Sequence, residues 1–213
     1  MEGGAVAQDD GGALLVGADG LARCPWCGQD PEYIRYHDEE WGRPVGDDQR
    51  LFEKICLEGF QSGLSWLTIL RKRTNFRSAF ADFDIERVAR FGEADVARLL
   101  ADAGIVRHRG KIEAAIGNAK AALKLREAEG SLAGFIWRFE ETPAPAPRRL
   151  SDVPTQTAAS KALAKELKAR GWRFFGPTTA YAFLQSMGVV NDHLEGCAFR
   201  SLCEAERAAF QRP

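Results

Sequence analysis

Apolar residues recur every three or four positions along most of this chain, and that spacing restricts it largely to helices. On one predicted helix the recurring apolar positions are Ile112, Ala115, Ile116, Ala119 and Leu123. Alternating apolar and polar runs bounded by hairpin turns, which would predict strands, are scarce. We therefore expect an all-α protein with roughly eight to ten short helices.

The bulk composition narrows the class of protein further. The length of 213 residues suits one domain with a sizeable core. A net charge of −1 neither demands nor excludes nucleic acid, because local patches bind phosphate. The apolar runs are far shorter than a membrane span, so no membrane partner is expected. Five cysteines without a signal-peptide pattern predict a reducing, cytoplasmic location with free or metal-bound thiols.

Composition also divides the chain into three parts. Residues 1–23 are rich in Gly, Ala and Asp, and we expect a disordered N-terminal extension there. Residues 24–200 are predicted to form a single domain. Residues 201–213 are left as a C-terminal tail.

Cysteine and histidine residues are concentrated near both ends of the predicted domain. The stretch CPWCGQDPEYIRYHDEEWG contains Cys24 and His37, and VNDHLEGC places His193 and Cys197 four residues apart, on one face if that segment is helical. These four side chains could fill a tetrahedral zinc site with no open position, which would make the ion structural. Two alternatives stay open. The cysteines could be unmetallated core residues, or Cys27, in a C-x-x-C pair with Cys24, could replace one histidine.

A turn between two predicted helices carries a cluster of cations. The run ARLLADAGIVRHRGKIEAAIGNA is similar to a helix-hairpin-helix element, spanning about residues 94–125, which grips the DNA backbone. Free backbone N–H groups and nearby cations can form a phosphate socket. The predicted backbone contacts are Gly104, Val106, Arg107, Arg109 and Lys111. The alternative is an ordinary helical hairpin whose charges face water.

Four longer runs occur together and in order: YHDEEWG, LFEKICLEGFQSGLSW, DAGIVRHRGKIEAAIGNA and GVVNDHLEGC. With them the chain resembles the DNA-3-methyladenine glycosylase I family of the helix-hairpin-helix DNA glycosylase superfamily. The resemblance implies that superfamily's fold, with a structural zinc joining segments 24–37 and 193–197. The implied ligands are Cys24, His37, His193 and Cys197. It also implies a monomer that acts on double-stranded DNA containing alkylated adenine and releases free 3-methyladenine.

Glu58 interrupts the apolar run ICLEGF, where a carboxylate is costly unless it is paired. A structural ion pair with Arg71 or Arg73 is one interpretation. Under the resemblance, Glu58 is instead the catalytic residue, unpaired in the pocket, and accepts hydrogen bonds from the amino edge of the base. An adenine methylated at N3 is positively charged, so an anionic acceptor and electron-rich ring faces favour it over ordinary adenine.

The resemblance also assigns aromatic residues to the pocket. Tyr36 and Trp66 would surround the extruded base, with Trp26, Tyr33 and Trp41 nearby, although core packing explains Trp41 equally well. Extrusion costs a few kcal/mol, and stacking on aromatics returns about 1–3 kcal/mol per base.

No aspartate lies between Asp102 and Asp152, where the wider superfamily carries its catalytic one. A cationic base needs little leaving-group activation, because it departs as a neutral molecule. We therefore expect a monofunctional glycosylase without lyase activity. A non-catalytic DNA-binding module would leave Glu58 and the aromatic cluster unexplained, and a metal-dependent hydrolase would need an open zinc position.

Overall fold

The computed structural model describes residues 14–142 and 144–213. Within these ranges the chain forms ten α-helices and one pair of two-residue strands. The helices are α1 Pro31–Glu39, α2 Asp48–Gln61, α3 Trp66–Ala79, α4 Ile85–Ala89, α5 Glu93–Ala101, α6 Arg109–Glu129, α7 Leu132–Trp137, α8 Ala158–Ala169, α9 Pro177–Ser186 and α10 Arg200–Ala209. The helical class predicted from the apolar spacing is confirmed.

Helix α2 lies at the centre of the domain and packs against α3, α6, α7 and α9. It begins where the Asp47 carboxylate accepts a hydrogen bond from the Arg50 N–H, an ordinary N-cap. Every residue from 51 to 60 is buried. Because the helix is enclosed on all sides, its charged residues Glu53, Lys54 and Glu58 must find partners inside the protein.

The expectation of disorder across residues 1–23 is wrong for residues 14–23, whereas residues 1–13 lie outside the described part. Strand β1 (Leu15–Val16) pairs antiparallel with β2 (Ala22–Arg23). The Arg23 guanidinium is buried and donates to both carboxylate oxygens of Asp38, at 2.9 and 2.8 Å. This two-pronged ion pair fixes the segment to the end of α1, and composition alone does not reveal it.

The C-terminal residues 200–209 are an integral part of the domain. Helix α10 buries Cys203 and Arg207. The Arg207 guanidinium donates to the Val189 carbonyl at 2.8 Å and to Glu140 at 2.9 Å. The last helix therefore closes over the segment that follows α9.

None of the helices within the described ranges combines the length and the apolar character that crossing a membrane requires.

The turn at Gly188 brings the segment after α9 against residues 43–45. Gly188 has φ +68°, and a Cβ there would lie 2.5 Å from the Arg43 carbonyl oxygen. The Val45 N–H donates to the Met187 carbonyl at 3.2 Å in the same contact. Only glycine fits this close approach between two backbones.

We expect Gly188→Ala to destabilise the protein by about 2–4 kcal/mol, from left-handed strain plus backbone overlap. Gly171→Ala is the matched control, because Gly171 has φ +85° and a Cβ added there would meet no atom within 4 Å. It should cost only about 1–2 kcal/mol. Urea unfolding monitored by tryptophan fluorescence measures both, and equal losses would contradict the overlap.

Candidate functional site

A cavity of about 200 Å³ opens between α1, α2, α3 and α9. The six residues predicted to hold a base all line it: Trp26, Tyr33, Tyr36, Trp41, Glu58 and Trp66. They come from separate parts of the chain. The rings of Trp26 and Tyr33 precede or lie on α1, Glu58 is on α2, and Trp66 begins α3.

The aromatic side chains form a continuous wall. The Trp26 ring centroid lies 5.2 Å from that of Tyr33 and 5.0 Å from that of Trp41. The Tyr36 and Trp66 centroids are 5.5 Å apart with tilted planes. These are ordinary packing distances for aromatic pairs. Trp41 therefore both packs against Trp26 and borders the cavity.

Glu58 is buried and ion-paired, so the expectation of an unpaired carboxylate is wrong. Its Oε1 lies 2.9 Å from the Lys54 ammonium, one helical turn earlier on α2. The partners considered from the sequence pair elsewhere, Arg71 with Asp30 and Arg73 with Glu40. The i to i+4 spacing of Lys54 and Glu58 in the sequence could have predicted this ion pair.

Lys54 makes three contacts inside the cavity wall. Besides Glu58, its Nζ donates to the Tyr36 hydroxyl at 2.8 Å and lies 3.2 Å from the Trp66 ring centroid. Burial lowers the pKa of Lys54 to about 8, against the opposing effect of Glu58. The cavity thus contains a positive charge that the sequence interpretation did not include.

The opposite wall comes from the connector and α9. It consists of Gln61, Leu150, Val153, Ala182, Gln185, Ser186 and Asp192. Asp192 accepts hydrogen bonds from the Tyr181 hydroxyl and, at 2.9 Å, from the Gln185 amide. Asp192 stands next to His193 in the run VNDHLEGC, outside the segment between Asp102 and Asp152 where the wider superfamily carries its aspartate.

Three of the four predicted metal ligands lie together. One ligand atom each from Cys24, His37 and Cys197 falls within 4.8 Å of the others, and all three residues are buried. The His37 Nδ1 is 2.8 Å from the Asp38 Oδ1, while its Nε2 is 3.6 Å from the Cys197 sulfur. A carboxylate on the far nitrogen is how proteins orient a metal-binding imidazole.

His193, the fourth predicted ligand, lies beside this cluster. Its ring centroid is 5.0 Å from that of His37, and its Nδ1 is 2.9 Å from the Asn191 Oδ1. The other nitrogen, Nε2, is buried without a hydrogen-bond partner in the part of the chain that the structure describes. Burial lowers the pKa of His193 to about 3, which keeps the imidazole in the neutral form that binds metals.

The segment that carries His193 and Cys197 is not a helix. Residues 193–197 form a turn, in which the Cys197 N–H donates to the Leu194 carbonyl at 3.0 Å, so the shared helical face is wrong. Gly42 makes room for the ring, since a Cβ there would lie 2.7 Å from the His193 Cε1. A hydrogen bond from Cys24 lowers the pKa of Cys197 to about 4, which favours a thiolate.

Cys27 is not a member of the cluster. Its sulfur donates to the Cys24 carbonyl at 3.1 Å, and burial raises its pKa to about 11. A protonated thiol turned toward a backbone carbonyl is a poor metal ligand.

The predicted hairpin is formed by α5, residues 102–108 and α6. The Gly104 N–H donates to the Asp102 carboxylate at 2.7 Å, and Lys72 donates to the carbonyls of Ala103 and Gly104. Arg107 is exposed and Val106 is half-buried. The Arg109 guanidinium is also at the surface, 2.9 Å from Glu93.

The predicted contact of Lys111 with the DNA backbone is not supported, because Lys111 is buried. Its ammonium points inward and donates to the Phe60 carbonyl at 2.9 Å and the Ser62 carbonyl at 2.7 Å. These carbonyls end α2, so Lys111 caps the helix that carries Glu58. The burial that accompanies this position lowers the pKa of Lys111.

Comparison with known proteins points to one family. The model of the methyladenine glycosylase family matches residues 26–201. DNA-3-methyladenine glycosylase 1 of Escherichia coli K12 is 51% identical over 179 residues, covering 83% of this chain and 96% of that protein.

Solved structures agree with the sequence comparison. The 3-methyladenine DNA glycosylase I of Staphylococcus aureus, solved to explain recognition of 3-methyladenine, is 37% identical with a TM-score of 0.81, covering 84% of this chain and 96% of that one. A variant of such a glycosylase in complex with 3-methyladenine has a TM-score of 0.80 at 37% identity, covering 84% and 97%.

We expect Lys111→Met to lower the free energy of unfolding by about 1–3 kcal/mol, because two carbonyls at the end of α2 lose their donor. Lys120→Met is the control, since Lys120 is exposed on the same helix. It should change stability by less than about 0.5 kcal/mol. Guanidinium denaturation of both variants checks this, and equal stability would show that the Lys111 cap is dispensable.

Proposed function

Because the chain belongs to the methyladenine glycosylase family, we propose that it is a monofunctional DNA glycosylase that excises 3-methyladenine from alkylated double-stranded DNA, the first step of base excision repair. One observation carries this proposal: the cavity is lined at once by a buried carboxylate and by five aromatic side chains. We further propose that the active species is a monomer.

Glu58, Tyr36 and Trp66 hold the extruded base in this proposal. The Glu58 carboxylate accepts hydrogen bonds from the amino edge, and the rings of Tyr36 and Trp66 stack on the base. The indole nitrogen of Trp66 supports a ligand here, because it is buried without an acceptor among the described residues. Trp26, Tyr33 and Trp41 complete the enclosure and exclude water.

The duplex reaches the cavity across an exposed loop. Residues 62–65 separate α2 from α3, and Leu64 is 42% exposed there. A groove lined by Leu64 and Gly63 also borders Glu58 and Gln61, both of which line the base cavity. An apolar side chain in this position can wedge into the stack vacated by the base.

The hairpin supplies the backbone contacts. In this proposal Gly104, Val106, Arg107 and Arg109 approach a DNA phosphate near the start of α6. The Gly104 N–H is held by Asp102, so the donors are the first N–H groups of α6 and the two arginine side chains. Such contacts position the duplex without reading its sequence.

The protein has little need to activate the leaving group in this reaction. The bond between C1′ and the base nitrogen breaks, its electron pair cancels the positive charge on the base, and water attacks C1′. Binding a cationic base outside the stack is therefore most of the catalysis. No lysine attacks the sugar, so no Schiff base forms and the strand is not cut.

A structural zinc ion fits the Cys24, His37, His193 and Cys197 side chains. The donor set and the buried, unpartnered Nε2 of His193 support it. When bound, the ion joins the N- and C-terminal segments and takes no part in the chemistry. We place the protein in the cytoplasm, a location supported by five free cysteines.

We expect Glu58→Gln to slow release of 3-methyladenine from methylated DNA by roughly tenfold to hundredfold, since a charged acceptor is lost. Trp66→Ala should also reduce release strongly through lost stacking. Liquid chromatography of the released bases, with gel analysis for strand cutting before and after alkali, measures both.

Glu53→Gln is the matched control, because Glu53 is a buried carboxylate on the same helix, 2.9 Å from Arg77. Its folded fraction should excise normally. Wild-type excision by both Glu58→Gln and Trp66→Ala would remove the pocket assignment.

We expect purified protein to contain about one zinc per chain, and Cys24→Ser to lose it and melt roughly 10 °C lower. Cys27→Ser should retain the metal, as should Cys56→Ser, which changes a buried thiol on α2. Elemental analysis measures the metal content and thermal melting measures the stability of each variant. Metal loss from Cys27→Ser alone would move the ligand assignment to Cys27.

A further inference from the structure

The positive charge of Lys54 occupies the place that the proposed function gives to the base. Its Nζ lies 2.9 Å from the Glu58 carboxylate and 3.2 Å from the Trp66 ring centroid. A carboxylate and an indole face are the two features that attract a cationic base. In the free protein both are already satisfied by a side chain.

The surrounding charges leave Glu58 as the counter-ion of Lys54. Glu40, after α1, accepts a hydrogen bond from Arg73 of α3 at 2.7 Å. The positive charge of Arg73 also acts on Lys54. Asp192, across the cavity, accepts hydrogen bonds from α9. The Lys54–Glu58 pair therefore makes the recognition face neutral rather than anionic.

We propose that Lys54 is a specificity-determining residue, whose ammonium a positively charged base must displace or discharge before it can use Glu58 and Trp66. This inference rests on the proposed function. A neutral base of the same shape meets no such competition. Lys54 thus reduces the preference of the pocket for positive charge, and the selectivity has to come more from shape and stacking.

The structure provides for both ways of removing the charge. A second cavity of about 150 Å³ adjoins Lys54 on its other side. It is bordered by the carboxylates of Glu39, Glu40 and Glu53 and by the guanidinium groups of Arg43, Arg50 and Arg73. The side chain can turn toward this cavity, whose lining carries charges of both signs. Alternatively Lys54 can release its proton to water, and burial brings its pKa down to about 8.

The charge of Lys54 makes the affinity for a cationic ligand depend on pH. Below pH 8 the ammonium is present and competes with a cationic ligand. Above pH 8 the neutral amine does not compete, so affinity for a cation rises with pH. Affinity for a neutral ligand has no reason to follow this profile.

Two small ligands separate charge from shape. One is 3,9-dimethyladeninium, a permanent cation, and the other is 3-methyladenine, which is neutral at pH 7.5. We expect Lys54→Met to tighten binding of the cation by roughly tenfold or more and binding of the neutral base by less than about threefold. Tryptophan fluorescence titration measures the two dissociation constants and their ratio.

Lys111→Met is the matched control, since it also removes a buried ammonium but lies outside the cavity. It should leave the ratio unchanged. The wild-type affinity for the cation should rise from pH 7 to pH 9, and that of Lys54→Arg should stay low throughout. If Lys54→Met fails to fold, the wild-type and Lys54→Arg pH profiles decide.

A ratio within twofold of wild type in Lys54→Met, or a flat wild-type profile, overturns the inference while the proposed function stands. If the wild type binds neither ligand and releases no 3-methyladenine from alkylated DNA, the proposed function fails and this inference fails with it.

Discussion

The burial of residues 51–60 of α2 is the constraint on which the rest of the structure depends. A helix enclosed by α3, α6, α7 and α9 gains most from apolar side chains, yet this one carries Glu53, Lys54 and Glu58. Each buried charge is held by an ion pair, because an uncompensated one would cost several kcal/mol. The base pocket exists where one such pair meets the aromatic wall.

The pocket also depends on a junction between distant parts of the chain. The segment after α9 lies against residues 42–45, at Gly42 and Gly188, and α10 covers it. This junction brings the Cys/His cluster together and delivers Asp192 to the cavity wall. The Cys/His cluster and the aromatic cavity are thus neighbours that share the first helix, with His37 and Tyr36 adjacent on α1.

Much of this could be predicted from the sequence, since apolar periodicity indicates helices and the family resemblance indicates which residues converge. The six residues that line the cavity and three of the four predicted ligands, Cys24, His37 and Cys197, were predicted in that way. Side-chain partners were harder to predict. Lys54 and Lys111 are both lysines on predicted helices, and the sequence does not separate their roles. Lys54 lines the cavity and Lys111 caps α2, because the packing of each helix determines the direction of its lysine side chain.

The pairing of Arg23 with Asp38 and the turn at residues 193–197 were missed for the same reason. Both depend on contacts between segments that local composition does not encode. Helix propensity describes a residue within its own segment, whereas these features are determined by contacts with other segments of the chain.

The junction between the two ends has a consequence for how the molecule is made. Residues near 24 are synthesised long before their partners near 197. The residues 185–192 that complete the cavity wall are synthesised at the end of α9 and after it. During synthesis on the ribosome the early helices can assemble, but the cavity gains its last wall only after residues 185–192 have emerged. A product of translation interrupted before residue 185 would lack this wall of the cavity, and we expect it not to excise the base.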